Sequence, residues 1–349
     1  MRFLILLALV LLAGCERRPP AAEVLTYASP YPPTHPFSRA DITWMKWVEQ
    51  ESRGRLHVQP YWAGALLSSD MSMAEIRHGV ADAGLITPIY ARGGAHLLRV
   101  QSGFYGGVRT IGDQVKIYDC LARHFPEIGH ELDGLVVLAV QGGNFPGVLT
   151  RDKPIRSLQD FRGLRLRAPT ENNDVLHALG ADPVNMPMGE VYSALAKGII
   201  DGVVAPADTI KSLHFSEVAR HFSTIRFSRG AYPARAISER AFRRLSPDLQ
   251  RILLASRKVW EDALETELLK AEAAGISFGK ENGIQTIGMA PVEQARFDGL
   301  YNRLALAQAR GLARIGIDGT PVFTEAQGLV ADPSLAAQCA ASPLTSEHS

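Results

Sequence analysis

The sequence predicts a two-lobe α/β fold. Strand-like and helix-like runs alternate from Glu23 onward, and they fall into two successive blocks. A helical pattern opened by Ser246 then runs to about Ala274, some 40 Å at 1.5 Å per residue, enough to lie across both blocks.

In the first block, Glu23–Ser29 reads as a strand. The proline-rich turn YPPTHPF leads to a helix near Ser38–Ser52, with Ser38 as its expected N-cap and Gly54 past its end. Leu56–Trp62 is a second strand, Ser69–His78 a helix stopped by Gly79, and Ala83–Ile89 a third strand. Helices are expected over about 112–132, with a strand at Leu135–Val140. In the second block Gly147–Arg151 and Leu164–Ala168 read as strands, followed by a helix capped by Thr170 and a helix at Gly189–Lys197. Ile199–Val204 is a buried apolar strand. Leu249, Leu253, Trp260, Leu264 and Leu268 share one face of the long helix, and a strand near Ile284–Gly288 and a helix from Pro291 finish the fold. Lobe I is therefore expected to comprise 23–144 plus 233–272, and lobe II 145–232 plus 273–320. The small-residue tail, 321–349, is expected to be disordered.

The chain has 349 residues, 46% hydrophobic and 21% charged, with a net charge of +1. This is globular composition, and the absence of basic excess argues against a nucleic-acid partner. Arg2 precedes an apolar run, Phe3–Ala13, and then Gly14 and Cys15. A basic start and an h-region of this length describe a secretory signal, 1–14. Leu12-Ala13-Gly14-Cys15 is similar to a bacterial lipobox, which makes Cys15 the expected lipidated first residue and 15–22 its tether. The expected location is extracytoplasmic, at a membrane surface. Cys120 and Cys339 remain. That compartment permits a disulfide, but the position of Cys339 in the tail favours two free thiols.

Few catalytic motifs match. Gly275-Ile276-Ser277-Phe278-Gly279 fits G-x-S-x-G, but a nucleophile elbow needs a strand before the Ser, and here a long helix precedes it. Glycines at a helix end explain the motif better. His124 and His130 have no evident third ligand, so no metal site is assigned. No phosphate-binding or dinucleotide glycine pattern occurs, and no cofactor is expected.

The sharpest feature is Gly163-Leu164-Arg165-Leu166-Arg167-Ala168-Pro169. It alternates like a half-buried strand yet sets two guanidiniums on one face. Arg167 falls at the carboxyl end of the strand, where open α/β sheets bind ligands, and Pro169 blocks further pairing.

Three segments in order carry a resemblance: SRGRLHVQPYWAGALLSSDMSMAEIRHGVADAGLI, LQDFRGLRLRAP and ALGADPVNMPMGEVYSALAKGIIDG. Over most of 24–320 the chain resembles the DctP-type solute-binding proteins of TRAP (tripartite ATP-independent periplasmic) transporters. The resemblance implies a periplasmic-binding-protein-like fold, type II-like, and a receptor with no enzymatic step. It further implies a small organic acid as ligand and the small and large TRAP membrane subunits as partners. It assigns Arg167 the salt bridge to the ligand's carboxylate, a role suited to a planar, permanently charged fork. Arg165 is expected to be solvated or structural.

The chain also departs from its relatives. Where many carry DGQENP it has Asp201-Gly202-Val203-Val204-Ala205-Pro206, so Ala205 replaces a ligand-touching Asn. The sialic-acid branch carries a second Arg where this chain has Gly147. Both changes point to a less polar carboxylate. Asn144 remains a candidate hydrogen-bond donor to it. Strand ends supply further candidates, each equally open to a structural role: Thr34, His35, Thr87, Tyr90, Asp208 and Tyr232. Two alternatives stay open, a secreted hydrolase using Ser277 and a binding lipoprotein serving a sensor.

Overall fold

The computed structural model describes residues 22–341; the signal, Cys15 and the tether up to residue 21 fall outside the described residues. Two sheets organise the chain. The first has the order β2-β1-β3-β10-β4, built from β1 (Glu23–Ala28), β2 (Leu56–Tyr61), β3 (Ala83–Leu85), β4 (Leu135–Gln141) and β10 (Tyr232–Ser238). The second has the order β11-β9-β5-β8-β6-β7. It comprises β5 (Gly147–Thr150), β6 (Arg165–Arg167), β7 (Asp182–Val184), β8 (Gly202–Ala205), β9 (His221–Ser223) and β11 (Gln285–Ile287). Each sheet mixes parallel and antiparallel pairs: β1 runs parallel to β2 and β3, whereas β10 runs antiparallel to β3 and β4.

The helices in chain order are α1 (Pro36–Glu51), α2 (Ser72–Arg77), α3 (His96–Val100), α4 (Ile111–His124) and α5 (Pro126–His130). The second block adds α6 (Asn173–Ala178), α7 (Val191–Ala196) and α8 (Asp208–Ser212). Then follow α9 (Glu239–Arg244), α10 (Pro247–Ala255), α11 (Arg257–Glu281), α12 (Pro291–Gly311), α13 (Gly319–Ala331) and α14 (Pro333–Ala341).

Residues 142–146 and 224–231 connect the two sheets, and α11 crosses both. Its buried stripe, Trp260, Leu264, Leu268, Ala271, Gly275 and Gly279, recurs every three or four residues. The first half packs in the core of α1, β1 and β4 with Trp44 and Leu25; full burial of such side chains is worth about 1.5–3 kcal/mol each. The second half meets α8. A Cβ on Gly275 would lie 2.1 Å from the Ala207 carbonyl oxygen, and one on Gly279 would lie 3.2 Å from the Ile210 side chain. The G-x-S-x-G motif therefore serves close helix packing within α11 and caps nothing. Ser277 lies exposed in mid-helix, which removes the elbow geometry of the hydrolase reading.

Several boundaries differ from expectation for local reasons. The helix expected from Ser246 is two, divided at Ser256, whose hydroxyl donates to the Leu253 carbonyl at 2.6 Å and accepts from Trp44 Nε1 at 2.7 Å. Ser38 is not a cap: α1 starts one turn earlier with Pro36 in its first turn, and the His35 side chain accepts from the Phe37 N–H. Thr170 caps no helix, because a 3₁₀ turn, Thr170–Asn172, precedes α6.

Residues 321–341, expected to belong to a disordered tail, lie almost wholly in α13 and α14. Asp318 caps α13 by accepting from the Thr320 N–H, and Pro333 opens α14. Small-residue sequence reads as a disordered tail, yet alanine is the best helix former, and Val322, Ala326, Leu329 and Ala336 are buried against the body. This docking brings Cys339 to Cys120 on α4. The two form a disulfide with Cα atoms 5.5 Å apart, in place of the expected free thiols.

Candidate functional site

One arginine shows how this chain satisfies a buried cation. Arg235 on β10 is 3% exposed; its Nε donates to Asp41 Oδ1 at 2.6 Å, and Trp260 Nε1 donates to the same oxygen at 2.7 Å. The Arg235 guanidinium carbon also sits 4.3 Å from the Trp260 ring centroid. Charge, hydrogen bonds and ring contact together offset desolvation.

Arg167 is as deeply buried, at 1% exposure, and has no carboxylate partner among the described residues. It ends β6, in register with Val184 on one side and Val203 on the other. Its Nε donates to the Met186 carbonyl at 3.0 Å, and a terminal nitrogen donates to the Tyr90 hydroxyl. Arg165, two residues earlier on the same strand face, is exposed. It pairs with Asp201, at 3.0 Å from Nε and 2.7 Å from a terminal nitrogen, and donates to the Gly198 carbonyl at 2.8 Å. One face therefore holds both arginines, and only its carboxyl end is covered.

What covers it is a cleft between the sheets. The lining from the first sheet includes Tyr31 and His35 after β1, Thr87, Ile89 and Tyr90 after β3, Gln141 and Asn144 at the end of β4, and Tyr232 at the start of β10. From the second come Arg167, Pro169, Val204, Pro206, Asp208 and Leu213. Most of these positions follow the carboxyl ends of strands.

The cleft gathers every candidate read from the sequence except Thr34, which is exposed and outside it. His35 stacks on Tyr31 with ring centroids 4.0 Å apart, and its Nδ1 accepts from the Phe37 N–H at 3.2 Å. Burial, aided by the charges of Arg39 and Arg235, pushes its pKa down to about 3, so the ring is neutral with its proton on Nε2. The Thr87 hydroxyl is committed to the Ser69 carbonyl and the Ser72 hydroxyl. Tyr232 accepts from Gln141 Nε2 at 2.9 Å, and burial holds its phenol protonated, with a pKa pushed up to about 12.

Asn144 and Asp208 belong to a network at the back of the cleft. The Asn144 amide donates to Asp208 Oδ1 at 3.4 Å and to the Leu268 carbonyl of α11 at 2.9 Å. The Asp208 backbone N–H donates to Glu272 Oε2 at 3.0 Å. Burial raises the pKa of Asp208, and burial together with the Asp208 charge pushes Glu272 up to about 7. This network joins the 142–146 crossing, α8 and α11.

Two site residues escaped sequence reasoning. Arg229, in the 224–231 crossing, is a second half-buried guanidinium in the cleft; a terminal nitrogen lies 3.4 Å from the Asn144 carbonyl oxygen. Its only sequence signal is a cation in a segment that must cross between sheets. Glu171 sits just past Pro169, with Oε2 fully buried and without a hydrogen-bond partner. Burial pushes its carboxyl up to about 7, opposed by the charges of Arg167 and Arg229. Ser102 Oγ, Asn172 Oδ1 and Ser228 Oγ are also buried without partners, and all three residues line the same cleft.

Gly147 and Ala205 prove to be register partners across the β5–β8 pair. A Cβ on Gly147 would fall 2.4 Å from the Ser223 carbonyl oxygen and 2.8 Å from the Phe222 ring, so the position admits no side chain in this packing. Pro146 and Val204, their chain neighbours, line the cleft with apolar surface.

Residues 27–308 match the family described as bacterial extracellular solute-binding protein, family 7, or DctP. Over 137 residues the sequence is 32% identical to the sialic acid-binding periplasmic protein SiaP of Vibrio cholerae serotype O1, covering 39% of this chain and 42% of that one. The matched stretches span about half the length of such curated relatives. The fold is that of a TRAP solute-binding protein from Rhodoferax ferrireducens T118, solved with copurified benzoate. The TM-score is 0.81 at 24% identity, covering 90% of this chain and 100% of that one. A Bordetella bronchiseptica TRAP periplasmic solute-binding protein solved with (R)- and (S)-mandelate gives a TM-score of 0.77 at 21% identity, covering 89% and 99%. With the family match covering most of the chain, this protein belongs to the bacterial extracellular solute-binding protein family 7.

Proposed function

We propose that this chain is the extracytoplasmic receptor of a TRAP transporter and captures a small, largely apolar monocarboxylate, with an aromatic acid as the leading class. The observation that carries this reading is Arg167: a fully buried guanidinium, at the carboxyl end of a strand, with hydrogen-bond partners but no carboxylate paired with it among the described residues. An anionic ligand supplies that charge and gains a bidentate fork. Arg229 adds a second positive charge to the same cleft.

The rest of the cleft limits the ligand's size and polarity. The cavity volume is ≈ 80 Å³. At about 10–15 Å³ per water, it takes roughly five to eight water-sized bodies, which suits a small acid and not a nine-carbon sugar acid. Tyr31, Phe37, Ile89, Val204, Leu213 and Leu268 supply apolar walls, Gly147 stands where the sialic-acid branch carries a second Arg, and Ala205 stands where many relatives carry a ligand-touching Asn. The benzoate and mandelate bound by two structural relatives have this chemistry.

In the cell, Cys15 would carry the lipid anchor, and the closed receptor would deliver its acid to the small and large membrane subunits. The two lobes would be 23–144 plus 233–272 and 145–232 plus 273–320, hinged at the crossings. No covalent chemistry is involved. A thermal-shift screen over benzoate, hydroxybenzoates, mandelate, glucuronate and sialic acid tests the reading. The expected result is a large shift with one aromatic acid, which is then recovered unchanged, and none with sialic acid. Stabilisation by neutral sugars alone, or turnover of the bound acid, would overturn it.

A further inference from the structure

Cys120 and His124 lie four residues apart on α4, and therefore on one face of the helix. The C-terminal helices bring two more groups to that face, Glu325 from α13 and Cys339 from α14. The two sulfurs and an imidazole nitrogen lie within 4.8 Å of one another. The imidazole is held at both ends: Nδ1 meets Glu325 Oε1, and Nε2 lies 3.7 Å from Cys339 Sγ. Glu325 Oε1 is also 3.8 Å from Cys120 Sγ.

A neutral disulfide needs neither a histidine nor a carboxylate beside it. The arrangement does match what thiolate metal sites require. Across a tetrahedral zinc, bond lengths of about 2.0–2.1 Å to nitrogen and 2.3 Å to sulfur place the two ligand atoms about 3.5–3.6 Å apart. The observed 3.7 Å is close to that separation. A carboxylate on the far nitrogen of the ring is the usual support of a metal-binding histidine, fixing its tautomer and orientation.

We infer that, when its disulfide is reduced, this corner is a zinc site in which Cys120 Sγ, Cys339 Sγ and His124 Nε2 bind the metal, Glu325 orients the imidazole, and water completes the tetrahedron. Reduction is by a dithiol. The dithiol gives up two hydrogens and becomes a disulfide, and Cys120 and Cys339 become thiols. Zn²⁺ then displaces both thiol protons, so binding releases two protons per metal. The sulfurs must separate from bonding distance to two corners of the tetrahedron, about 3.8 Å apart. Either linkage ties α14 to α4, one in oxidising and the other in reducing surroundings. The borderline-soft S₂N donor set favours zinc over magnesium or calcium.

The test uses the full chain with Cys15→Ser, so that only these two cysteines supply sulfur. Oxidised and dithiothreitol-reduced samples, freed of reductant, are titrated with Zn²⁺ against a chromophoric chelator and with Co²⁺ in the spectrophotometer. The expected result is one Zn²⁺ per reduced chain, none per oxidised chain, and a thiolate-to-cobalt charge-transfer band with tetrahedral d–d bands. His124→Ala should weaken binding at least tenfold, and Glu325→Gln by about 10–100-fold. Far-UV circular dichroism reports whether each variant keeps its helices. Failure of the folded reduced chain to take up stoichiometric Zn²⁺ would overturn the inference. So would loss of α14 on reduction without zinc uptake, or an affinity unchanged in folded His124→Ala.

Discussion

Arg167 and Tyr90 meet across the cleft: the guanidinium comes from the end of β6 in the second sheet and the phenol from the 3₁₀ turn after β3 in the first. The guanidinium carbon is also 5.4 Å from the Tyr90 ring centroid. The residue proposed to hold the ligand's charge is thus also a polar link between the two halves. On the proposed reading, ligand capture and closure would be coupled through one side chain.

Tyr90→Phe removes the hydroxyl acceptor and keeps the ring. A hydrogen bond to a charged group is worth about 1.5–3 kcal/mol, part of which water or ligand recovers, so affinity for the acid should fall about tenfold. Calorimetry on wild type and variant measures this. An unchanged affinity would mean that Tyr90 only packs beside the guanidinium.

Gly147→Ala should destabilise the fold without altering which acids bind. Its new Cβ would collide with the Ser223 carbonyl and the Phe222 ring, and overpacking of this kind costs about 1–3 kcal/mol. The urea midpoint reports it. A variant as stable as wild type would show that β5 and β9 can separate, and that an arginine could then be accommodated there.

Glu272 gives the fold a pH dependence with a definite sign. Its folded-state pKa, about 7, lies above the ordinary 4.5, so the folded chain holds this proton more tightly than the unfolded chain. The stabilisation is complete below about pH 4.5 and is lost as pH rises through about 7. Glu272→Gln mimics the protonated acid. It should raise the melting temperature at pH 8 and leave it nearly unchanged at pH 4.5. A lowered melting temperature at pH 8 would mean that the ionised form is the stabilising one.

The disulfide closes a sequence separation of 219 residues. In the chain-entropy treatment such a cross-link is worth about 5 kcal/mol, an upper value because denatured chains retain structure. Intact-mass measurement before and after reduction should show one bond, and reduction should speed amide exchange first in α14. Two alkylatable thiols in the untreated folded protein would contradict the pairing.

Much of the fold was legible because its signals are local. The stripe from Trp260 to Leu268 announced a long helix, and the alternation through Arg165 and Arg167 announced β6. Arg167 was legible from its place at the carboxyl end of a strand and from the family resemblance, since a solvated strand face accounts equally well for any single arginine. Arg229 and Glu171 gave no such sign. One lies in an aperiodic crossing and the other in a turn, and only the meeting of two sheets makes either a cleft residue. α14 was missed because a run of alanines carries little amphipathic contrast, and α13 was missed with it because the whole segment was read as tail. Their burial depends on α4, some two hundred residues away, and the disulfide was hidden for the same reason.

The most direct test of the carboxylate clamp is calorimetry of the best acid from the thermal-shift screen against Arg167→Ala, Arg167→Lys and Arg165→Ala, with folding checked by circular dichroism. Breaking a buried, hydrogen-bonded charge pair costs about 2–5 kcal/mol, or roughly 30-fold to several thousand-fold in affinity. Arg167→Ala should lose that much, Arg167→Lys should recover only part because a point charge cannot reproduce the fork, and Arg165→Ala should bind as wild type does. Equal small losses at 165 and 167 in folded variants would contradict a carboxylate clamp at Arg167.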